Sequence, residues 1–404
     1  MALDIDRWSP PSADRPRRVT IIGSTGSVGQ STVDLIAREP DRYRVEALIA
    51  GNSVDALAAQ ARRLRARCAV VANPARYGAL KEALAGTEIE VAAGVEAVVA
   101  AAERPADWVM AAVVGFAGLQ STLAAARRGA MVALANKEAL VCAGRLLIEA
   151  VEDSGGVLLP VDSEHNAIFQ VLEPRNRAAI DRLILTASGG PFRQWPIEEM
   201  ERARPDQALA HPNWDMGAKI SIDSATMMNK GLELIEAHLL FGLPQEQVEI
   251  IVHPQSVIHS MVAYRDGSVL AQLGTPDMRV PISHTLGWPA RIDSPATRLD
   301  FRTLSALTFE PPDSSRFPSL RLAREALTAG GAAPIVMNAA NEAAVAAFLA
   351  GRIGFLDIAR RVEEVMEGWS DLARPIESLQ EVEATDHEAR RRAEQACGGG
   401  VLVD

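Results

Sequence analysis

The chain of 404 residues is 48% hydrophobic and 23% charged, a composition typical of an ordinary globular protein. Its length exceeds the roughly 250 to 300 residues at which a single hydrophobic core stops growing, so we expect two or three domains. The net charge of −11 argues against a nucleic-acid partner and against attraction to an anionic membrane.

The cysteines and the apolar runs indicate the compartment. Three cysteines without a CxxC pair favour a reducing environment and argue against structural zinc. The first 18 residues lack the apolar stretch of a signal peptide, so they predict a short disordered lead. The longest apolar run, residues 108–119, is shorter than the ~18 residues that a membrane span needs. We therefore expect a cytoplasmic protein.

The first predicted element is a buried strand at residues 18–22 that runs into the glycine-rich turn GSTGSVG at residues 23–29. A helical pattern follows the turn. A dinucleotide pyrophosphate needs this order, because it requires close backbone approach and free N–H groups at a helix start. The spacing is GxxGxxG rather than GxGxxG, but its position between strand and helix predicts a nucleotide site.

The second predicted strand, residues 44–50, ends at Gly51, Asn52 and Ser53 without an acidic residue. NAD enzymes usually place a carboxylate there for the ribose 2′-hydroxyl, and that carboxylate would repel a 2′-phosphate. Its absence favours NADP, although no arginine or lysine stands at this point either.

Further strand signals at residues 69–71, 108–114 and 130–135 alternate with helical patterns, which predicts a parallel sheet with helices on both faces. Asn136, Lys137 and Glu138 directly follow one of these strands. Ligands of such sheets bind beyond the carboxyl ends of the strands, so this trio is a candidate site. A solvated loop lysine is the alternative for Lys137.

The apolar run at residues 156–160 precedes Asp162 and Glu164. If the run is a strand that continues, alternation puts both carboxylates on one side. Two adjacent carboxylates are tolerated when a divalent cation lies between them, when one is protonated, or when both face water. All three interpretations remain open at this point.

Another predicted strand, residues 183–187, leads into Ser188, Gly189 and Gly190. This sequence suits either an anion-binding nest of N–H groups or a common turn. Residues 198–217 are polar and irregular and include His211, Trp214 and Met216, so they suit either a lid over a ligand or a packed surface loop.

The segment 223–233 is a second polar cluster with a carboxylate, hydroxyls, an amide and an ammonium group. Glu233 is predicted to open an amphipathic helix and to lie off its apolar stripe, which on its own indicates a surface residue. His253, His259 and His284 lie in alternating apolar segments and are predicted to be structural.

The C-terminal third begins with a proline- and serine-rich stretch, residues 291–318, predicted to be a linker. Helices are predicted at residues 334–351 and 357–369, and a last one is opened by a capping box of Thr385 and Glu388 and ended by glycines 398–400. This part resembles a small helical bundle without identifiable chemistry.

In this order, the motifs resemble those of the 1-deoxy-D-xylulose 5-phosphate reductoisomerase family, from about residue 18 to near the C terminus. The resemblance rests on the glycine turn, ANKE at 135–138, VDSEHNAIFQ at 161–170, SGGPF at 188–192, HPNWDMG at 211–217, KISIDSATMMNKGLELIEA at 219–237 and HPQSVIHSMV at 253–262. It implies an α/β protein with an N-terminal Rossmann-type parallel sheet, a central α+β catalytic domain and a C-terminal helical bundle. The expected parts are residues 1–161 for NADPH, 162–300 for metal, substrate and dimerisation, a linker at 301–325 and helices at 326–404.

The resemblance implies that Asp162, Glu164 and Glu233 bind one Mg2+ or Mn2+, which overrules the surface interpretation of Glu233. An all-oxygen carboxylate set suits such a hard ion. The implied substrate-binding residues are Lys137, Ser163, Glu164, Ser188, His211, Trp214, Met216, Ser224, Asn229, Lys230 and Glu233. Among these, Ser188, Ser224, Asn229, Lys230 and His211 would hold the phosphate.

The implied cofactor-binding residues are Thr25, Gly26, Ser27 and Val28 for the pyrophosphate, Gly51, Asn52 and Ser53 for the adenosine side, and Asn136, Glu138 and Gly217 for the nicotinamide half. The implied catalytic residues are Lys137, Glu164 and His211, with Lys137 and Glu164 expected to handle protons. Family members are homodimers, so a homodimer is expected here too.

The family reaction makes 2-C-methyl-D-erythritol 4-phosphate for the non-mevalonate isoprenoid pathway. It implies an isomerisation by retro-aldol and aldol steps, followed by reduction of the resulting aldehyde by NADPH. A metal ion would act there as a Lewis acid.

Two positions depart from the family pattern. Asn52 stands where a basic residue is frequent, and Ala187 where a glycine is common. Asn52 weakens the expected recognition of the 2′-phosphate, and the methyl group of Ala187 would alter the phosphate turn slightly. Two other functions remain open: a metal-dependent NADP oxidoreductase acting on another phosphorylated hydroxyketone, and an NADP-binding regulatory protein without catalysis.

Overall fold

The structure is a computed structural model that describes residues 15–214 and 216–398. Most of the predicted disordered lead, residues 1–14, and the last two glycines of the predicted tail lie outside the described residues. Within the described ranges, no helix is both long enough and apolar enough to cross a membrane.

The chain forms two compact units, and each is assembled from several stretches of sequence. The first unit comprises Met1–Ala139, Leu147–Asn166 and Asp277–Thr297. The second comprises Leu140–Leu146, Ala167–Pro276 and Arg298–Asp404.

The first unit contains a seven-stranded sheet in which every pair of neighbouring strands is parallel. Its strands are β1 (Arg17–Ile22), β2 (Tyr43–Ala50), β3 (Cys68–Val71), β4 (Glu90–Ala93), β5 (Trp108–Ala111), β6 (Met131–Leu134) and β7 (Val157–Pro160). Buried apolar residues dominate all of them except β4, because helices cover both faces. This confirms the predicted Rossmann-type sheet.

The strand order is β4-β3-β2-β1-β5-β6-β7. The chain builds outward from β1 to β4 and then returns to add β5 on the other side of β1. The strand order therefore reverses between β1 and β5, and such a reversal leaves a crevice where open α/β sheets bind ligands.

The helices that flank this sheet are numbered along the chain. They are α1 (Ser27–Arg38), α2 (Val54–Leu64), α3 (Tyr77–Ala83), α4 (Val95–Ala102), α5 (Leu119–Arg127), α6 (Lys137–Ser154), α7 (Ser163–Val171) and, much later in the sequence, α12 (Arg279–Gly287). Helix α12 packs against α1, and Arg279 lies 3.6 Å from Asp34 of α1.

The second unit contains a four-stranded mixed sheet of order β11-β10-β8-β9. Its strands are β8 (Ile180–Ala187), β9 (Val248–Val252), β10 (Ile258–Tyr264) and β11 (Val269–Leu273). Strands β8 and β9 are parallel, whereas β10 runs antiparallel to both of its neighbours. The sheet confirms the predicted central α+β part.

The remaining helices belong to the second unit. They are α8 (Ile197–Met200), α9 (Pro205–Leu209), α10 (Ala218–Ala225), α11 (Met228–Phe241), α13 (Ser319–Ala329), α14 (Ala333–Leu349), α15 (Asp357–Glu367) and α16 (Leu379–Ala396). Helix α14 packs against α13, α15 and α16, which confirms the predicted C-terminal helical region. Leu232 and Ile235 of α11 share the alanine-rich core of these helices.

Two local predictions are wrong. The last helix begins at Leu379 rather than at Thr385, because Ser378 caps it by accepting a hydrogen bond of 3.2 Å from the backbone N–H of Glu381. Residues 198–217 are not wholly irregular, because they contain most of α8 and all of α9.

Candidate active site and cofactor site

The glycine turn after β1 is held tightly against the neighbouring strand. Gly23 has a φ of +90°, and the N–H groups of Gly23 and Ser24 both donate to the carbonyl oxygen of Ile49, at 2.9 and 2.8 Å. A Cβ atom placed on Gly29 would lie 2.1 Å from the carbonyl oxygen of Gly23. The turn therefore requires glycine at both positions.

The turn leads into an open helix start. Gly26 precedes α1 and has no side chain to cap the N–H groups of the first helical turn. The segment from Thr25 to Val28 thus includes uncapped backbone donors at the positive end of a helix, those of Ser27 and Val28, whereas the Gly26 N–H donates to the carbonyl oxygen of Gly23 at 3.2 Å. It lies at the carboxyl end of β1, beside the reversal point of the sheet. This environment fits the pyrophosphate of a dinucleotide.

The three residues after β2 are exposed and lie at the same edge of the sheet. The Asn52 side-chain oxygen accepts a hydrogen bond of 2.8 Å from the Asn73 amide. Ser53 stands at the start of α2, but its side chain makes no capping bond there. The bond from Asn73 uses the Asn52 oxygen and not its NH2 group, so the Asn52 NH2 group and the Ser53 hydroxyl are both candidate donors to a ligand phosphate.

The trio after β6 begins a helix. The Asn136 side-chain oxygen accepts a hydrogen bond of 3.1 Å from the N–H of Ala139, and its amide donates to the carbonyl oxygen of Gly115 at 3.2 Å. These bonds make Asn136 the N-cap of α6 and place Lys137 at the first helical position. Lys137 and Glu138 are both buried, so Lys137 is not a solvated loop lysine.

The two carboxylates after β7 lie close together, but not for the expected reason. The strand ends at Pro160 and α7 begins at Ser163, so strand alternation does not apply. Instead, Asp162 precedes the helix and accepts a hydrogen bond of 3.2 Å from the backbone N–H of Glu164. Asp162 and Glu164 each place a carboxylate oxygen within 4.8 Å of the other.

A cation, an imidazole and a hydroxyl lie beside this pair of carboxylates. The Lys137 ammonium group lies 2.5 Å from one Asp162 oxygen, and Nδ1 of His165 lies 3.3 Å from the other. The Ser163 hydroxyl donates to Glu164 at 2.6 Å. The oxygen donors and their spacing fit a hard divalent cation. His165 was not predicted as part of this group, although it stands only three residues after Asp162, in the first turn of α7.

The second unit supplies a further buried carboxylate. Glu233 lies inside α11 rather than at its start and is fully buried, so the surface interpretation is wrong. The Asn229 amide donates to it at 2.6 Å, and the Lys230 ammonium group forms an ion pair with its other oxygen. The cationic and amide donors expected to bind phosphate are therefore gathered around one carboxylate.

The turn after β8 meets the start of the same polar segment. Gly189 and Gly190 both have positive φ values, and the Gly190 N–H donates to the Ser188 hydroxyl at 3.2 Å. A Cβ atom on Gly190 would lie 2.6 Å from the carbonyl oxygen of Ser224. The close backbone approach brings Ser188 and Ser224 into one small region.

His211 joins this region from the loop after α9. Its Nδ1 atom accepts hydrogen bonds from the backbone N–H groups of Asn213 and Trp214, at 3.2 and 3.0 Å. Because Nδ1 accepts, Nε2 carries the proton of the neutral ring and donates to the Ser188 hydroxyl at 2.9 Å. Burial lowers the pKa of His211 to about 4, so the ring is neutral near pH 7.

Trp214 and Met216 lie on the same loop. The Trp214 ring centroid lies 6.2 Å from that of His259, and the Asn213 amide donates to the Pro254 carbonyl and to the Ser256 hydroxyl, at 2.7 and 2.9 Å. Asn213 thus anchors the loop beside Trp214. Sequence reasoning missed this anchor, and the only signal was the position of Asn213 between two predicted ligand residues. Gly217 directly precedes α10.

The predicted structural histidines make local contacts. His253 donates from Nδ1 to the carbonyl oxygen of Thr308 at 2.9 Å and accepts from the N–H of Val257 at 3.3 Å. His284 lies 3.2 Å from the Asn166 amide. His259 lies beside the candidate lid, because its ring faces Trp214.

Comparisons with known proteins identify the same enzyme family along most of the chain. Three family models match it: 1-deoxy-D-xylulose 5-phosphate reductoisomerase at residues 19–144, the C-terminal domain of that enzyme at 158–241, and the DXP reductoisomerase C-terminal domain at 273–392. A 1-deoxy-D-xylulose 5-phosphate reductoisomerase of Rhodospirillum centenum is 62% identical over 400 residues, covering 99% of both chains. One of Zymomonas mobilis is 60% identical over 379 residues, which are 94% of this chain and 97% of the relative.

Two solved structures are similar throughout. The reductoisomerase of Zymomonas mobilis in complex with NADPH has a TM-score of 0.90 and 56% identity, covering 96% of this chain and all of the other. A DOX-P reductoisomerase in complex with NADPH, fosmidomycin and magnesium has a TM-score of 0.91 and 43% identity, covering 95% of this chain and 98% of the other.

Proposed function

The chain belongs to the 1-deoxy-D-xylulose 5-phosphate reductoisomerase family, and we propose that the residues described above carry out the family's reaction. The enzyme converts 1-deoxy-D-xylulose 5-phosphate to 2-C-methyl-D-erythritol 4-phosphate with NADPH and Mg2+, in the non-mevalonate pathway. The observation that carries this conclusion is the 62% identity over 99% of the chain. The roles of individual residues below are our proposals.

The segment from Thr25 to Val28 binds the pyrophosphate of NADPH through its backbone N–H groups. The uncapped start of α1 supports this role. The adenosine side lies on Gly51, Asn52 and Ser53, and the Asn52 NH2 group and the Ser53 hydroxyl supply donors for the 2′-phosphate, because the bond from Asn73 uses the Asn52 oxygen. NADPH supplies the hydride that reduces the aldehyde.

The nicotinamide half lies near Asn136, Glu138 and Gly217. Because the Asn136 side chain caps α6, we assign it the task of fixing the helix start that carries Lys137 and Glu138. Gly217 approaches the ring through its backbone, and no described atom lies within 4 Å of where its Cβ would stand.

Asp162, Glu164 and Glu233 are the proposed metal ligands. The spacing of Asp162 and Glu164 and the burial of Glu233 among cationic and amide donors support the assignment. Mg2+ held by these residues would supply Lewis-acid polarisation of substrate oxygens.

The substrate phosphate is held by Ser188, Ser224, Asn229, Lys230 and His211. His211 donates to the Ser188 hydroxyl and Gly190 also donates to it, so the hydroxyl accepts two hydrogen bonds. Its own proton is then available to a phosphate oxygen. Lys230 supplies a positive charge in a protein whose net charge of −11 opposes the substrate.

Lys137 and Glu164 handle protons at the sugar, and Ser163 contacts its hydroxyl groups. The ion pair between Lys137 and Asp162 directs the ammonium group toward the carboxylates. His211 is a hydrogen-bond donor and not an acid in this scheme, because burial lowers its pKa to about 4. This refines the catalytic role that the resemblance implied.

Trp214 and Met216 cover the bound substrate and exclude water. The anchor formed by Asn213 supports this role, because it fixes the loop directly beside Trp214.

We also propose a cytoplasmic homodimer in which the second unit forms the interface. Its edge strand β11 leaves Val269 51% and Leu270 38% exposed, and an exposed apolar edge strand pairs readily with another chain. We keep the functional division into residues 1–161, 162–300, 301–325 and 326–404 as part of this proposal, although Asp277–Thr297 belongs to the first compact unit and α13 begins at Ser319, within the expected linker.

The decisive experiment follows NADPH absorbance with 1-deoxy-D-xylulose 5-phosphate as substrate and Mg2+ or Mn2+ as the metal, with and without a chelator. Glu233→Gln is isosteric but removes the ligand charge, so we expect turnover to fall by roughly 100-fold or more. Mn2+ affinity, measured by calorimetry without substrate, should weaken in the same variant. NADPH binding is the control and should stay unchanged.

Product analysis separates the alternatives. A plain oxidoreductase would reduce the ketone without moving a carbon–carbon bond, and its product differs in carbon skeleton. A folded protein that binds NADPH but shows no metal-dependent turnover would contradict the proposal and favour a non-catalytic role.

A further inference from the structure

A buried carboxylate next to Ser224 is held from two sides. Asp223 of α10 is 1% exposed, and the Lys219 ammonium group lies 2.8 Å from its Oδ2 atom. The Asn341 side-chain amide donates to its Oδ1 atom, also at 2.8 Å. We call these three residues the Asp223 clamp.

Asn341 reaches this clamp from the C-terminal helices, 118 residues further along the chain. It is fully buried on α14, a helix otherwise dominated by alanine and other apolar residues. Its own side-chain oxygen is buried and has no hydrogen-bond partner among the described residues. A buried, unpaired oxygen is costly, so the bond to Asp223 has to offset this cost.

The orientation of the Asn341 amide follows from the same contacts. Exchanging its nitrogen and oxygen would turn an acceptor toward the Asp223 carboxylate and leave the NH2 group without an acceptor. The donor therefore faces Asp223, and the bond is charge-assisted.

The clamp acts on the proposed phosphate site through α10. Ser224 directly follows Asp223, and its carbonyl oxygen lies where the backbone of Gly190 approaches most closely. A small rotation of α10 would thus move Ser224 relative to the turn that carries Ser188. The bond from Asn341 on the neighbouring α14 would oppose this rotation.

We propose that Asn341 is a positioning residue for the substrate phosphate, which it aligns by holding Asp223 and hence Ser224. This rests on the proposed phosphate-binding role of Ser188 and Ser224. The C-terminal helices, for which the sequence indicated no chemical role, would then contribute a residue that supports the substrate site.

The test compares two leucine variants of the same helix. Asn341→Leu removes the clamp bond, whereas Asn338→Leu is a matched control one turn earlier. Asn338 is also fully buried, its oxygen also lacks a partner among the described residues, and its amide donates to Glu342 at 3.1 Å rather than to Asp223. Both variants thus lose a buried amide from α14.

The readouts are the KM for 1-deoxy-D-xylulose 5-phosphate, the KM for NADPH and the inhibition constant of inorganic phosphate, all measured on the full chain with Mg2+. In Asn341→Leu we expect the substrate KM and the phosphate constant to rise about fivefold to tenfold, because a charge-assisted bond is lost. The KM for NADPH should change less than about twofold. Asn338→Leu should lower thermal stability similarly but leave all three constants near the wild-type values.

The proposal would be overturned if the phosphate inhibition constant of Asn341→Leu equals that of the wild type. It would also be overturned if Asn338→Leu raises the substrate KM and the phosphate inhibition constant as much as Asn341→Leu does. If Asn341→Leu does not fold, the isosteric Asp223→Asn weakens the clamp from its centre and should raise the same two constants about threefold. Calorimetric binding of inorganic phosphate needs no turnover. A wild type that binds phosphate without converting the substrate would refute the proposed function alone, and the clamp would then be judged by phosphate affinity.

Discussion

Gly29 offers a sharp test of the cofactor turn. In Gly29→Ala, the new methyl carbon would stand 2.1 Å from the carbonyl oxygen of Gly23 and 2.6 Å from the Cα atom of Ser24. Ordinary contact begins at 3.4 Å, so the turn or the helix must move by about 1.3 Å, the difference between the two distances. Both neighbours are backbone atoms and cannot rotate away.

The displaced segment is the one proposed to bind the NADPH pyrophosphate. Overpacking of this kind costs about 1 to 3 kcal/mol of stability. A shift of about 1 Å in a positioning group can cost roughly 100-fold, so we expect the Kd for NADPH to rise by that order. Fluorescence titration with NADPH and urea unfolding measure the two effects separately.

Gly78→Ala is the matched control within the same unit. Gly78 lies in α3, and no described atom lies within 4 Å of the added Cβ. This change should stabilise the protein by about 0.5 to 1 kcal/mol, because alanine has less backbone freedom to lose, and should leave NADPH affinity unchanged. An NADPH Kd for Gly29→Ala within about threefold of wild type would refute the steric reasoning.

Two further predictions concern acid stability and assembly. Burial lowers the pKa of His211, His259 and His284 to about 4. Between about pH 6.5 and pH 4, only the unfolded chain takes up these protons. The free energy of unfolding should therefore decrease as the pH is lowered through that window. Urea midpoints should therefore drop between about pH 7.5 and pH 5, and His284→Asn should reduce the drop; equal midpoints would contradict this. Leu270→Lys places a charge on the exposed edge of β11 and should shift the protein to monomers in analytical ultracentrifugation. The control Val95→Lys, at an exposed position of α4, should leave the dimer intact. If Leu270→Lys remains a dimer, this edge is not the interface.

The nucleotide-binding fold could be predicted from sequence because its strands are buried on both faces. Such strands form continuous apolar runs that end in glycine or polar residues, and β1 with its turn is the clearest case. Strand β4 was missed because its four residues are only partly buried and carry a glutamate, so its pattern is weak. Edge strands depend on pairing with a neighbour more than on their own composition.

The functional site could be predicted less completely from sequence than the fold. Asp162 and Glu164 were identified as a pair, but by strand alternation, whereas the pair forms where Asp162 precedes the start of α7. Glu233 has the pattern of a surface residue in the sequence, whereas the structure buries it beside Asn229 and Lys230, one turn earlier. Helical periodicity gives the face of a residue but not what packs against that face.

The bond between Asn341 and Asp223 could not be predicted. It joins residues 118 positions apart, and an asparagine in an alanine-rich helix has no local signal that names its partner. Contacts of this kind follow from tertiary packing alone.

The discontinuous makeup of the first unit sets the order in which the protein can fold during synthesis. Helix α12 packs on α1, and the side chain of Arg17, at the start of β1, donates to the carbonyl oxygens of Leu286 and Trp288. These partners belong to the stretch Asp277–Thr297, which leaves the ribosome long after the seven strands have been made. During synthesis, the surface of α1 that contacts α12 therefore stays uncovered until about three quarters of the chain has been translated. A fragment cut after β7 would lack the contacts that Asp277–Thr297 makes with the rest of the first unit.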